Sequence, residues 1–387
     1  MRPRVSLISH AYLEESYRSK LRYLGERTDL TLVTPARFPF AYRQGTADFS
    51  RESRFAVRAY PCRFPAGIRS STRWILKSRD LGFVRDRPHI IHVENELHSF
   101  ILLQSVLYRR RYAPHARLLA FVWANQRLQG VKGLVLNSLA RRLLPSIDLF
   151  IAGSSAAQAL LTNSGIPSER LVVIPQVGID VELFKPADAS KRAAARAELG
   201  VQANEFVIGY AGRLVESKGL PDLVDAVAAL AANTAESHPK LVVVGQGPFK
   251  DQLLRQCPSV TVASAPSSTD LLPFYHAFDV FVLPSRTTSH WKEQFGRVLT
   301  EAMACGVPVI GSDSGAIPEV IGDAGIVFPE GNHVQLRRIL EGLCNDGARR
   351  AQLQQAGRRR VVEHFSGEAI ATATLQAYNE LLAAPGP

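Results

Sequence analysis

Residues 206–232 read FVIGYAGRLVESKGLPDLVDAVAALAA. The first five, Phe206–Tyr210, form a short continuous apolar run, the pattern of a strand buried on both faces. Gly212 and Gly219 bracket a polar turn, and from Leu220 to Ala232 apolar residues recur at helical spacing. Strand, glycine turn and helix in succession are half of a βαβ unit and imply a parallel sheet.

The same alternation continues outward. Downstream, strands are expected at Leu241–Val244, Val260–Ala263, Val280–Leu283 and Val307–Gly311. Helices are expected at Phe249–Gln256, Arg297–Cys305, Val334–Cys344, Ala348–His364 and Gly367–Leu382. Upstream, strands are expected at Val5–Ser9, Leu30–Thr34, His89–Val93, Arg117–Val122, Asp148–Ala152 and Leu171–Ile174. Helical patterns there cover Glu14–Glu26, Ser99–Arg110, Gly133–Leu144 and Ser154–Asn163. The alternation pauses over Gly178–Ala203, where Phe184-Lys185-Pro186 and an alanine-rich polar stretch read as a linker and a short helix. The expected fold class is α/β, with two doubly wound Rossmann-like domains at 1–183 and 184–366. A final helix, 367–384, is expected to pack back on the first. Two such domains imply a ligand cleft between them.

The length of 387 residues suits two domains. With 46% hydrophobic and 21% charged residues, the chain is neither disordered nor fibrous. Cys62, Cys257, Cys305 and Cys344 lie far apart, so neither a zinc site nor a redox pair is indicated. Arg2 and Arg4 precede an apolar run, Val5–Ser9, too short for a signal sequence. No apolar stretch approaches the length of a membrane span. The expectation is a reduced, cytoplasmic protein.

Charge is unevenly spread. The whole chain carries a net +11, yet residues 1–186 hold 28 Lys and Arg against 14 Asp and Glu, a net +14. The remainder is net −3. Arg109-Arg110-Arg111 and Arg141-Arg142 are the densest clusters. A basic half suits an anionic membrane surface or an acidic substrate, or else is a solvated arginine-rich surface. No nucleic-acid motif accompanies it.

Four segments carry candidate chemistry. In Gly212–Gly219, a strand-to-helix turn, glycines allow close backbone approach and the helix start favours an anion. Arg213 can grip a phosphate through two parallel hydrogen bonds, and Lys218 adds a point charge, a pair suited to a diphosphate. The second segment, Gly245-Gln246-Gly247-Pro248, follows a strand but lacks the third glycine and downstream acid of a dinucleotide fingerprint. The third, Trp291–Ile310, places Glu293 before a helix, Gly296 at its start and Glu301 inside it. Carboxylates accept hydrogen bonds from paired sugar hydroxyls, and Glu301, among Leu299, Ala302, Met303 and Cys305, needs a partner if buried. The fourth, Gly311–Ile321, is a glycine- and serine-rich turn with Pro318 near a helix start. Each segment taken alone also reads as an ordinary turn or surface helix.

In this order and at these distances, the four segments closely resemble the retaining glycosyltransferases of family four, over roughly Val207–Pro329. That resemblance implies the GT-B fold, two Rossmann-like domains facing a central cleft, and a sugar moved from a nucleotide-sugar donor to a saccharide or lipid-linked glycan. It implies that Arg213 and Lys218 hold the diphosphate and, with Glu293, form the catalytic set. Gly212, Gly245, Gly247, Phe295, Gly296 and Val298 would line the donor, Glu293 would meet the transferred sugar, and Glu301 the ribose. No metal or other cofactor is implied, in keeping with the lack of an Asp-x-Asp motif.

Two departures stand out. The loop after the first strand, His10–Glu15, holds no glycine. The place of a histidine common in relatives reads Trp123-Ala124-Asn125-Gln126-Arg127. His10, Glu96, Asn125 and Gln126 are the acceptor-side candidates, with Glu94-Asn95-Glu96 a wall of the cleft, although His10, His92 and His98 also suit structural or surface roles. The acceptor expected is a lipid-linked or cell-envelope glycan, reached from the cytoplasmic membrane face. A nucleotide-sugar epimerase and a non-catalytic nucleotide-sugar-binding protein are the alternatives.

Overall fold

The computed structural model describes residues 2–39, 47–48, 52–65, 70–126, 130–202, 204–233 and 239–385. The chain forms two compact units, Met1–Gly178 with Ser366–Pro387, and Ile179–Phe365. The first boundary lies ahead of the expected 183 because Ile179 and Phe184 are fully buried in the second unit's core. The return falls at Ser366, whose hydroxyl accepts the Ala369 N–H and caps the last helix.

The first unit is built on seven parallel strands: β1 (Arg4–Ile8), β2 (Asp29–Pro35), β3 (Ala56–Tyr60), β4 (Ile90–Glu94), β5 (Arg117–Val122), β6 (Leu149–Ala152) and β7 (Leu171–Val173). Their order is β7-β6-β5-β4-β1-β2-β3. Ile8 pairs with Val33 on one side and Val93 on the other. The chain therefore winds from β1 to one edge, returns to the other side of β1 at β4, and builds outward again. That reversal puts a topological switch point between β1 and β4. Connecting helices include α1 (Ser19–Arg27), α2 (Phe100–Tyr112), α3 (Gly130–Leu143) and α4 (Ser155–Thr162).

Three expectations need correction here. The helix expected over Glu14–Glu26 is broken, with single turns at Ala11–Leu13 and Glu15–Tyr17 before α1. Buried Arg18 takes the carbonyls of Tyr12 and Leu13 with its guanidinium, at 2.8 and 2.9 Å, and fixes the irregular turn. Strand β3 was not foreseen. As an edge strand it needs no continuous apolar run, and two of its five residues are exposed. Two short antiparallel ladders, Arg37–Phe38 with Ala47–Asp48 and Cys62–Arg63 with Ile75–Leu76, were also missed.

The second unit holds α5 (Ala189–Glu198), β8 (Phe206–Ala211), α6 (Leu220–Asn233), β9 (Pro239–Val244), α7 (Lys250–Gln256), β10 (Thr261–Ala263), α8 (Leu272–Ala277) and β11 (Val280–Leu283). It continues with α9 (Arg297–Ala304), β12 (Val309–Ser312), α10 (Ile317–Ile321), β13 (Ile326–Phe328), α11 (His333–Asn345) and α12 (Gly347–Arg360). All six strands are parallel, in the order β10-β9-β8-β11-β12-β13, and the switch point lies between β8 and β11. The helix expected to reach His364 ends at Arg360, and Val361–Phe365 form a π-helical turn. The final helix, α13 (Gly367–Ala383), lies against α1 in the first unit, where Ile370, Tyr378 and Leu381 share a core with Leu21 and Leu24. A Cβ on Gly367 would stand 2.0 Å from Ser19 Oγ, so this crossing requires glycine. Among the described residues, no helix is long and apolar enough to cross a membrane.

Candidate functional site

In the second unit, the loops after β8 and β11 leave the carboxyl edge of the sheet on either side of the switch point, where doubly wound sheets bind ligands. Both loops carry sequence-predicted residues, and the fold brings them into contact. Lys218 Nζ lies 2.6 Å from Glu293 Oε2, across 75 residues of sequence. Ser285 Oγ donates to the same oxygen at 2.9 Å. The Lys218 ammonium also sits 4.4 Å from the centre of the Trp291 ring. Glu293 is 8% exposed, so without this pairing its carboxylate would be costly to bury.

Several close backbone contacts hold this arrangement. A Cβ on Gly219 (φ +69°) would stand 1.7 Å from Pro284 O, so the turn bearing Lys218 presses on the start of the loop bearing Glu293. A Cβ on Gly245 would stand 1.8 Å from Gly212 O, and one on Gly247 would stand 2.2 Å from Leu214 O. Leu214 N–H donates to Gln246 O at 2.9 Å. At each of these glycines the atom nearest a Cβ would be a backbone carbonyl of a neighbouring loop, so their smallness lets the loops pack together. Gly315 meets Glu293 O in the same way, and Ala316 N–H donates to that oxygen at 3.0 Å. The fourth segment thus braces the third.

Arg213 is exposed at the rim, and its guanidinium makes no hydrogen bond or ion pair among the described residues. Gly212 is half-buried, and Tyr210 OH donates to Arg213 O at 2.9 Å. Gly296 (φ +76°) begins α9 in the left-handed conformation. Phe295 and Val298 are half-buried, with Phe295 packed on Phe365 at 5.6 Å between ring centres. Glu301 is 2% exposed and accepts hydrogen bonds from Arg297 Nε at 2.7 Å, Tyr275 OH at 2.9 Å and Ser268 Oγ. Burial and the neighbouring Glu301 push the Tyr275 hydroxyl well above its usual pKa, so it remains a donor. The buried partner that Glu301 requires is therefore supplied from within the unit.

Sequence reasoning missed Ser285, Trp291, Arg297 and the Asp222–Arg286 pair. Arg286 Nε donates to Asp222 Oδ2 at 2.7 Å, tying the loop after β11 to the first turn of α6, next to Lys218. Only Arg297–Glu301 left a readable signal, an i,i+4 pair of opposite charge. Among the described residues, no cluster of three or more His, Cys, Asp or Glu could hold a metal ion.

In the first unit, the acceptor-side candidates separate into different roles. Glu94 faces inward, where Lys20 Nζ lies at 2.6 Å, Tyr12 OH at 2.9 Å and Gln176 Nε2 at 2.9 Å. Burial alone would raise the Glu94 pKa, but Lys20 and His92 hold it below the usual carboxylate value. Glu94 is thus a buried ion-pair residue, which corrects its expected place in a cleft wall. His92 is also interior, 2.7 Å from Tyr378 OH, and burial lowers its pKa to about 4. His10 packs between Phe38 and Trp74, at 4.7 and 5.5 Å between ring centres. Burial, opposed by Glu94, lowers its pKa to about 4, so it is neutral at pH 7. Asn125 is buried and Gln126 half-buried. Arg127 lies outside the described residues. Glu96, on the loop after β4, is half-buried, and its Oε2 accepts the Ala124 N–H at 3.3 Å.

The chain matches two protein families. Residues 191–360 match "Glycosyl transferases group 1", and residues 18–177 match "Glycosyl transferase 4-like domain". It is 34% identical over 198 residues to a GDP-mannose-dependent monoacylated alpha-(1-6)-phosphatidylinositol monomannoside mannosyltransferase of Corynebacterium glutamicum, covering 49% of this chain and 51% of that protein. It is 30% identical over 284 residues to an alpha-maltose-1-phosphate synthase of Mycolicibacterium smegmatis, covering 67% of this chain and 70% of that one. The chain thus spans about half the length of the first of these relatives. A glycosyltransferase structure from Rickettsia africae superposes with a TM-score of 0.73 at 16% identity, covering 99% of this chain and all of that one, and so shares the fold.

Proposed function

This chain belongs to the group 1 glycosyl transferases, and from that premise we propose that it moves a sugar from a nucleotide-diphosphate sugar to a hydroxyl of a saccharide or lipid-linked glycan, with retention of anomeric configuration. The observation that carries this reading is the Lys218–Glu293 contact at the switch point of the second unit. A cation and a carboxylate held side by side suit the two parts of such a donor, its diphosphate and its sugar hydroxyls.

In this mechanism Lys218 and Arg213 hold the diphosphate and stabilise the charge that builds on it as the bond to the sugar breaks. Glu293 accepts hydrogen bonds from the transferred sugar. Glu301, fixed by Arg297 and Tyr275, is placed to exchange a partner for ribose hydroxyls. The acceptor meets the first unit. Its hydroxyl attacks on the face that the diphosphate leaves, and a diphosphate oxygen takes the proton. The protein cations do the work of a metal, so activity should survive chelation with EDTA, and its abolition would contradict that part. Turnover assays with nucleotide sugars test the whole reading. Glu293→Gln and Lys218→Ala should each reduce kcat/KM by at least tenfold, and unaltered turnover in both would oppose it.

A membrane-facing acceptor has its own support in the first unit. The C-terminal end of α2 and the turn after α3 come together, because Arg109 donates to Ser146 O at 2.6 Å and Arg110 to Ser146 Oγ at 2.9 Å. Arg109 is turned inward to Asp148, but Arg110, Arg111, Arg141 and Arg142 are exposed, as are Leu107 on α2 and Leu134 and Val135 on α3. Such a basic, partly apolar surface favours anionic lipid, each arginine contributing roughly 1 kcal/mol near the surface. We propose the cytoplasmic membrane face as the place where the protein meets its acceptor, with this surface as the support. Sedimentation with anionic vesicles should decline steeply with salt, and absent or salt-independent binding would count against it.

A further inference from the structure

The two sheets share one geometry, and it singles out a carboxylate in the first unit. In each, ligand-binding loops are expected to flank the strand pair where winding reverses. In the second unit that pair is β8 and β11, and Glu293 stands on the loop after β11. In the first unit the pair is β1 and β4, and Glu96 stands on the loop after β4, two residues beyond the strand. Glu96 thus holds the topological position in the first unit that the Glu293 loop holds in the second.

The surroundings of the two carboxylates differ. Glu293 is paired with Lys218, whereas Glu96 has no cationic partner among the described residues. What anchors it is backbone, the Ala124 N–H at 3.3 Å and that of Trp123. Its own loop is fixed independently: Asn95 Oδ1 accepts the Glu96 N–H at 2.9 Å, and Asn95 Nδ2 donates to Ser71 O at 3.0 Å. A half-buried carboxylate held by backbone amides and lacking a cation is a costly feature for stability alone.

We propose that Glu96 is the acceptor-recognition carboxylate of this chain, accepting a hydrogen bond from a hydroxyl of the polyol or saccharide that receives the sugar. The proposal rests on the glycosyltransferase reading above and assigns the substrate class of its first unit. Burial pushes the Glu96 carboxyl up to about 7, with the Ala124 and Trp123 amides opposing. Among the described residues, the charged and titratable groups on adjoining elements are His98 on its own loop, His92 and Glu94 on β4 with Lys20 of α1 paired to Glu94, His10 beyond β1, and Arg73 on the segment bonded to the loop. Ionisation of Glu96 therefore changes over the physiological range, and acceptor binding should follow it.

The test uses the full chain with methyl glycosides of glucose and mannose, glycerol and myo-inositol as acceptor probes, followed by saturation-transfer NMR. In wild type, binding of at least one probe should weaken about tenfold from pH 8 to pH 6, as a group titrating near 7 loses its charge. Glu96→Gln should bind that probe weakly at both pH values, and Glu96→Asp should recover part of the pH dependence. Thermal melts should show both variants folded. If no probe binds differently to wild type and Glu96→Gln at either pH, the proposal is wrong. Calorimetric titration of nucleotide sugars separates the two levels. Retained nucleotide binding with an unchanged acceptor profile overturns the Glu96 assignment alone, while loss of nucleotide binding from wild type overturns the glycosyltransferase reading beneath it.

Discussion

Lys218 and Glu293 pose a question of exchange. They neutralise each other across a 2.6 Å ion pair. In the mechanism proposed above, a diphosphate arriving at Lys218 would compete with Glu293 for the ammonium, and the carboxylate so released would turn to sugar hydroxyls. Lys218→Ala should weaken nucleoside diphosphate binding by roughly 10- to 100-fold, the effect of losing a hydrogen bond to a charged group. Glu293→Gln keeps the shape and removes the competitor, so it should leave nucleoside diphosphate affinity equal or higher while reducing kcat. Calorimetry on both variants tests this, and equal weakening in the two would contradict it. A second prediction concerns His92, held near pKa 4 by burial against 6.5 in the unfolded chain. The unfolded state takes up this proton first, so the contribution is intact above pH 6.5 and is lost as pH falls toward 4. It is worth about 3 kcal/mol by linkage. Denaturant melts of wild type and His92→Asn between pH 7.5 and 4.5 should converge as pH falls.

Glycine turns act at the scale of elements. Gly219 and Gly245 have no room for a methyl group, since the carbonyls of Pro284 and Gly212 occupy the place. Alanine at either should cost about 1–3 kcal/mol in strain and displace the Lys218 turn. Gly342 within α11 is the contrasting case, with nothing near the place of a Cβ and ordinary helical backbone. Gly342→Ala should stabilise by up to about 1 kcal/mol. Thermal unfolding of the three variants checks the contrast, and a destabilising Gly342→Ala would contradict it.

The limits of sequence reading also show at this scale. Buried parallel strands such as Arg117–Val122 and Val280–Leu283 were legible to the residue, because continuous apolar runs report burial on both faces. Edge strand β3 was not, since none of its five residues is buried and Arg58 interrupts its apolar run, and neither was the three-residue edge strand β13, although β7 and β10, equally short and at edges, were. The Lys218 and Glu293 motifs were visible as separate turns. Their contact was not, because it depends on β8 and β11 lying side by side, a choice of topology. Ser285 and Asp222 had no local signature for the same reason. Glu94 and Glu96 looked alike in sequence, and only the fold paired one with Lys20 and left the other to backbone amides.

For the whole molecule, the two units share a plan and differ in charge. The basic excess lies in the first half of the chain, as an anionic acceptor surface would favour. The second unit holds the most densely braced loops, with Gly212, Gly219, Gly245, Gly247 and Gly315 all at backbone-to-backbone or backbone-to-ring approaches. The internal anchor of the first unit is the Lys20–Glu94 pair, both 1% exposed. Breaking it with Lys20→Met leaves an uncompensated buried carboxylate and should cost about 3–5 kcal/mol. Chemical denaturation measures this, and a loss below about 1 kcal/mol would show the pair to be dispensable.

The most direct test of the central claim is calorimetric titration of wild type, Arg213→Ala and Lys218→Ala with UDP-, GDP-, ADP- and dTDP-sugars. The account predicts that one nucleotide class binds wild type and that each variant binds it at least tenfold more weakly. Binding of no nucleotide sugar, or equal binding by all three proteins, would contradict a donor site at the switch point of the second unit.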